Sequence, residues 1–141
     1  MKVEWGYMPK TRFLPVFAAG LLAACAGLPP LGANQQDRFT KAGQEVELAH
    51  WAYWDNNCEG EEFDINILTP PASGRTEIRE AVFAIPTKNS SGQETGCVDK
   101  IIESKKVIYI PNDGFSGADQ AVIEFTGSSG VVTNAYSITV R

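Results

Sequence analysis

From Glu45 onward, apolar and polar residues alternate in short runs. "EVELAHWAYW" (45–54) sets Val46 and Leu48 against charged neighbours and then turns aromatic. "FDINILT" (63–69) puts Phe63, Ile65 and Ile67 on one face and Asp64 and Asn66 on the other. "RTEIREAVFAI" (75–85), "VDKII" (98–102), "KVIYI" (106–110), "AVIEF" (121–125) and "VTNAYSITV" (132–140) follow, the last with Tyr136, Ile138 and Val140 on one face. Period-two alternation predicts β-strands with one buried face. The stretches between them, "TPPASG" (69–74), "IPTKNSSGQETG" (85–96), "PNDGFSG" (111–117) and "TGSSG" (126–130), carry the Gly, Pro, Asn and Asp of turns.

The pattern predicts an all-β fold of about seven antiparallel strands, the number of an immunoglobulin-like β-sandwich, with a small barrel as the alternative. Ahead of it, residues 25–44 are rich in Gly, Pro and polar residues without a period. That composition predicts a flexible tether, with the domain spanning 45–141.

The beginning of the chain has a different pattern. Lys10 and Arg12 precede "FLPVFAAGLLAA" (13–24), twelve uncharged residues. A bilayer-spanning helix needs about 20. A positive start, a short apolar run and small residues at its end predict a secretory signal over 1–24, with Met8 an alternative start.

"LAAC" (Leu22 to Cys25) resembles the lipobox of bacterial lipoproteins. The resemblance implies cleavage before Cys25, diacylglycerol on its sulfur and acylation of the new amino terminus. Two or three acyl chains anchor durably where one does not. Ala26 stands where some bacteria place an aspartate to retain lipoproteins in the inner membrane, which points to the outer membrane of a bacterial envelope.

Charge and cysteine count change with that reading. The formal charge is −5. Removing Lys2, Lys10, Arg12 and Glu4 takes away three positive charges and one negative, leaving −7. An acidic body with no basic cluster longer than Lys105-Lys106 argues against a nucleic-acid partner. With Cys25 lipidated, only Cys58 and Cys97 remain, and an oxidising compartment predicts a disulfide between them. A zinc or redox pair would lack a close CxxC and has one histidine to help.

The carboxyl-terminal half resembles the bacterial Ig-like and cadherin-like repeats of secreted and surface proteins. The resemblance rests on Tyr109-x-Pro111, Gly114-Phe115-x-Gly117-x-Asp119 and Tyr136-x-Ile138-x-Val140, with "TPPASG" matching their Pro-Pro-x-x-Gly turn. It covers roughly the last 75 residues. Ala121 and Ile123 depart from it, where such repeats favour aromatics.

Candidate chemistry is sparse. His50, the single histidine, has no accompanying GxSxG, and a packed histidine is its ordinary role. Asp55, Asn57 and Glu59 imitate the start of a calcium loop, but its twelfth position would be Asn66 rather than a bidentate glutamate. "PNDGFSGAD" has the glycines of a phosphate loop without its lysine or helix. It reads as a turn plugged by Phe115, with Asp113 and Asp119 capping backbone amides. In "HWAYW", Trp51 and Tyr53 share one face while His50 and Trp54 share the other. Aromatics on both faces of one strand make Trp51, Tyr53 and Trp54 a candidate contact surface.

The expectation is therefore a non-enzymatic binding or structural module, anchored by lipid, without a cofactor. Its partner would be an envelope protein or glycan. A calcium-dependent adhesion unit and a small envelope hydrolase or inhibitor are the alternatives.

Overall fold

The computed structural model describes residues 28–141. The expected signal segment and Cys25, the expected lipidation site, lie outside the described residues. Within them the chain is all-β, with no helix. Its strands are β1 (Asn34–Thr40), β2 (Val46–Trp51), β3 (Tyr53–Trp54), β4 (Gly60–Glu61), β5 (Asp64–Thr69), β6 (Gly74–Ala84), β7 (Ile101–Pro111), β8 (Gly117–Gly127) and β9 (Gly130–Val140). One sheet has the order β1-β9-β8-β5, a second β2-β7-β6, and β3 and β4 form a short ribbon. All pairings are antiparallel except β1 on β9, which is parallel.

The two sheets share one core, as in a β-sandwich. Leu48, Val107 and Tyr109 of the three-stranded sheet meet Ala121, Ile123, Phe125, Tyr136 and Ile138 of the four-stranded one. Tyr136, Ile138 and Val140 lie on one buried face, as their alternation predicts. Ala121, in place of an aromatic, pairs across the sheet with Tyr136, so a small residue faces a large one.

Three expectations need correction. The tether expected through residue 44 contains β1, so the β structure begins at Asn34 rather than Glu45. "NQQDRFT" has no apolar period because β1 joins the sheet chiefly through its backbone, along the edge of β9. Arg38 fastens it further. Its guanidinium stacks over Tyr136 at 5.3 Å and donates to the Leu48 carbonyl at 2.6 Å. That carbonyl lies at the β-bulge where Glu47 pairs with Ile108 and Ala49 with Val107.

Secondly, "VDKII" and "KVIYI" are not two strands. Ile101–Pro111 runs unbroken and in register with the whole of β6. Thirdly, the seven long strands match the expected number only because this merger offsets the added β1.

At one end of the sandwich, Asp119 ties the β5–β6 turn to the core. Its carboxylate accepts the amides of Ala72 and Ser73, both at 2.9 Å. Phe115 packs onto the main core beside Gly117, as the plug reading expects.

Candidate functional site

The chemistry-bearing residues gather at the opposite end, around the β3–β4 ribbon. Asp55 closes the ribbon's loop by accepting the amides of Asn57 and Glu59 at 2.8 and 2.9 Å. The Glu59 amide, ahead of the Asn57 contacts, holds the Asp55 carboxyl below its ordinary pKa. This turn carries Cys58 at a positive φ of 65°, and Cys58 forms the expected disulfide with Cys97. The bond staples the ribbon to the long loop between β6 and β7. A second small core of Ile85, Cys97 and Ile102, lined by Trp54, Cys58 and Phe83, lies beneath.

The three calcium candidates have other occupations. Asp55 caps the turn, the Asn57 amide group donates to Asp55, and Glu59 pairs with Lys100 at 2.5 Å. No group of three or more His, Cys, Asp or Glu side chains converges on a cation position among the described residues.

The aromatic strand alternates as its sequence predicts, and packing covers part of each face. Trp51 stacks on Phe125 with ring centroids 4.5 Å apart. Tyr53 is buried against Phe63, and Gly127 makes room for its ring. On the other face, Trp54 stacks on Phe83 in the disulfide cluster. Of the contact surface expected at Trp51, Tyr53 and Trp54, Tyr53 is withdrawn into the core, while Trp51 and Trp54 stay half-buried and Trp51 lines a second groove with Asn34, Ser90 and Asn134.

His50 points to the same outer face. Its Nε2 lies 2.8 Å from Ser104 Oγ, and its ring meets Phe83 edge-on at 5.3 Å. A serine–histidine contact is half of a nucleophilic device. Ser104, however, is only 2% exposed, and among the described residues no carboxylate hydrogen-bonds the imidazole. The pair satisfies two polar groups within a packed sheet.

One open feature at this end is a groove of about 410 Å³ between the ribbon and the ends of β6 and β7. Glu59, Glu61 and Glu62 line one side, and Glu80, Glu103 and Lys105 the other. Lys105 Nζ donates to the Phe63 carbonyl at 3.3 Å and lies 5.0 Å above the Phe63 ring. The acidic run "CEGEEF" was visible in the sequence, but Glu80 and Glu103 join it only through the β6–β7 register.

On the outer face of the three-stranded sheet, charged groups cover Ile108. Arg79 bonds Glu45 through both guanidinium nitrogens at 2.7 and 2.8 Å and also reaches Glu77 at 2.8 Å. Lys106 pairs with Glu47 at 2.8 Å.

A scan against protein-family models finds no match to this chain, and neither does a search of curated proteins.

Proposed function

We propose that this chain is an envelope-anchored bacterial lipoprotein whose body is an Ig-like, non-enzymatic binding or structural module. The observation that carries the reading is the Cys58–Cys97 disulfide. Such a bond belongs to an exported protein, and it leaves Cys25, in the lipobox-like "LAAC", as the remaining cysteine of the three.

The strand order supports the Ig-like part. Set the ribbon aside and number the seven long strands in sequence. The second, fifth and fourth then form one sheet, and the third, sixth and seventh the core of the other. That is the division of an Ig-type sandwich, with the first strand joining the seventh. The engagement of His50 and Ser104 in packing supports a non-enzymatic role.

Cys25 precedes Asn34 by nine residues, at most about 30 Å of extended chain. Asn34 pairs with Asn134, toward the end that holds the ribbon and the groove. An anchor at Cys25 therefore holds that end nearest the membrane.

The test is metabolic labelling with radioactive palmitate. Label should enter the wild-type chain and be lost from Cys25→Ser. Label that persists in Cys25→Ser, or never enters the wild type, overturns the anchor. Substrate turnover abolished by His50→Ala would overturn the non-enzymatic reading.

A further inference from the structure

We propose that the free edge of β6, beside this acidic groove, takes an extended basic peptide segment as a further strand, its side chains on the inward face reading apolar, basic, apolar. The proposal rests on the binding-module reading and is independent of the anchor.

Three observations converge. First, β6 is an edge strand, paired on one side with β7 and without a strand neighbour on the other among the described residues. Its eleven residues contain no proline, and its register with β7 has no bulge. A straight edge presents a row of backbone donors and acceptors to an incoming strand.

Second, the sheet outruns its cover. On the inward face of β7, Val107 and Tyr109 are fully buried. Further along that face Ile101 is 60% exposed, and on β6 Ile78 and Val82 are 47% and 66% exposed. Ile78 pairs with Val107 and Val82 with Glu103, so these side chains share the face that forms the sandwich core nearer Tyr109. Apolar Ile78 and Val82 flank Glu80, which suits an added strand reading apolar, basic, apolar opposite them.

Third, the charge selects the occupant. Five carboxylates line the groove against two amines. Glu59 already holds Lys100, and Lys105 is turned to Phe63. Glu62, Glu80 and Glu103 have no ion-pair partner among the described residues. Charges at an edge also deter indiscriminate pairing, but here the free ones are of a single sign. A second copy of this acidic chain would meet like charge, whereas a basic strand gains complementarity.

The test titrates the full chain, in neutral detergent, with short fluorescent peptides. One repeats Val-Thr-Lys-Thr, so that valine and lysine alternate along one face of the strand, one replaces its lysines by glutamate, and one scrambles the same composition into blocks. The alternating basic peptide should bind at least about tenfold more tightly than either control. Its affinity should fall as salt is raised. Glu80→Lys combined with Glu103→Lys should weaken it by about tenfold or more. Val82→Ser should weaken it while leaving the charge untouched. Both variants alter exposed side chains, and a retained disulfide and melting curve establish that they are folded.

Equal binding of the block peptide, no binding at all, or binding indifferent to both variants overturns the proposal. So does self-association that Val82→Ser abolishes while no peptide binds, which would assign the edge to a second copy. An envelope partner crosslinked away from the groove, with no peptide bound, overturns the groove and leaves the module reading standing.

Discussion

The Tyr109 hydroxyl donates to Asp119 Oδ2 at 2.9 Å, joining β7 to β8 across the interior of the sandwich. The same carboxylate accepts three backbone amides, those of Ala72, Ser73 and Gln120, each at 2.9 Å. One buried side chain therefore satisfies a turn, a strand start and a phenol that is itself fully buried.

Removing that carboxylate should be costly. Asp119→Ala leaves the phenol and turn amides without their acceptor, and we expect a loss of about 2–4 kcal/mol in urea unfolding. Tyr109→Phe removes one bond and should cost about 1 kcal/mol. A loss no greater than that from Asp119→Ala would show that water satisfies the turn unaided.

Gly74 and Gly127 are set by close approach. A Cβ on Gly74 would lie 2.5 Å from Tyr109 Cε2 and 2.6 Å from the Ile110 carbonyl oxygen. One on Gly127 would meet the Tyr53 ring at 2.6 Å. Gly74→Ala should destabilise by about 1–3 kcal/mol through overpacking. Gly130→Ala is the informative contrast, because its Cβ would meet nothing within 4 Å and only its φ of 121° is penalised. Comparing their thermal unfolding separates crowding from backbone strain.

Cys58 and Cys97 are separated by 39 residues. On loop-closure entropy, the paired Ser variant should lose about 4 kcal/mol. The loss should fall on the ribbon and the long loop first, because Ile85, Ile102 and Trp54 form a small core around the bond. Hydrogen exchange should rise at these segments before it rises in β8 and β9. Two titratable thiols among Cys58 and Cys97 in the unreduced protein would contradict the bond.

Stability should fall at both extremes of pH. Burial is the main cause that raises the pKa of Tyr109 and Tyr136 above the ordinary phenol value. A raised pKa means stability is intact below about pH 10, the unfolded phenol value, and is lost as pH climbs toward the folded values. On the acid side, hydrogen bonds from Arg79 lead in lowering Glu45 and Glu77, and the Glu59 amide leads for Asp55. Their contribution is present above about pH 4 and is lost as pH falls below it. Melting temperature across pH reads both limbs. Tyr136→Phe should flatten the alkaline limb, and paired Glu45→Gln and Glu77→Gln should flatten the acid one, more visibly at low salt.

The alternation of Phe63, Ile65 and Ile67, and of Tyr136, Ile138 and Val140, was legible because each strand buries one face. The "TGSSG" turn was legible for its glycines, and the disulfide from the cysteine arithmetic. β7 was read as two strands because Glu103, Ser104 and Lys105 interrupt its apolar pattern. Yet Ser104 is buried under the disulfide-stapled loop, opposite His50. β1 was missed because an edge strand held by backbone pairing and Arg38 needs no apolar period. Only the ribbon side of the groove could be seen, because Glu80 and Glu103 lie far from Glu61 along the chain.

By itself, the sequence determined the all-β class, most strand positions, the Cys58–Cys97 bond and the capping role of Asp119, since each depends on local periodicity or residue chemistry. Tertiary structure alone decided that Tyr53 is buried while Trp51 and Trp54 are only half-buried, that β1 joins β9, and that β6 and β7 extend beyond their cover. Those outcomes depend on strand register and on which segments pack over each face, relations between residues distant in the chain.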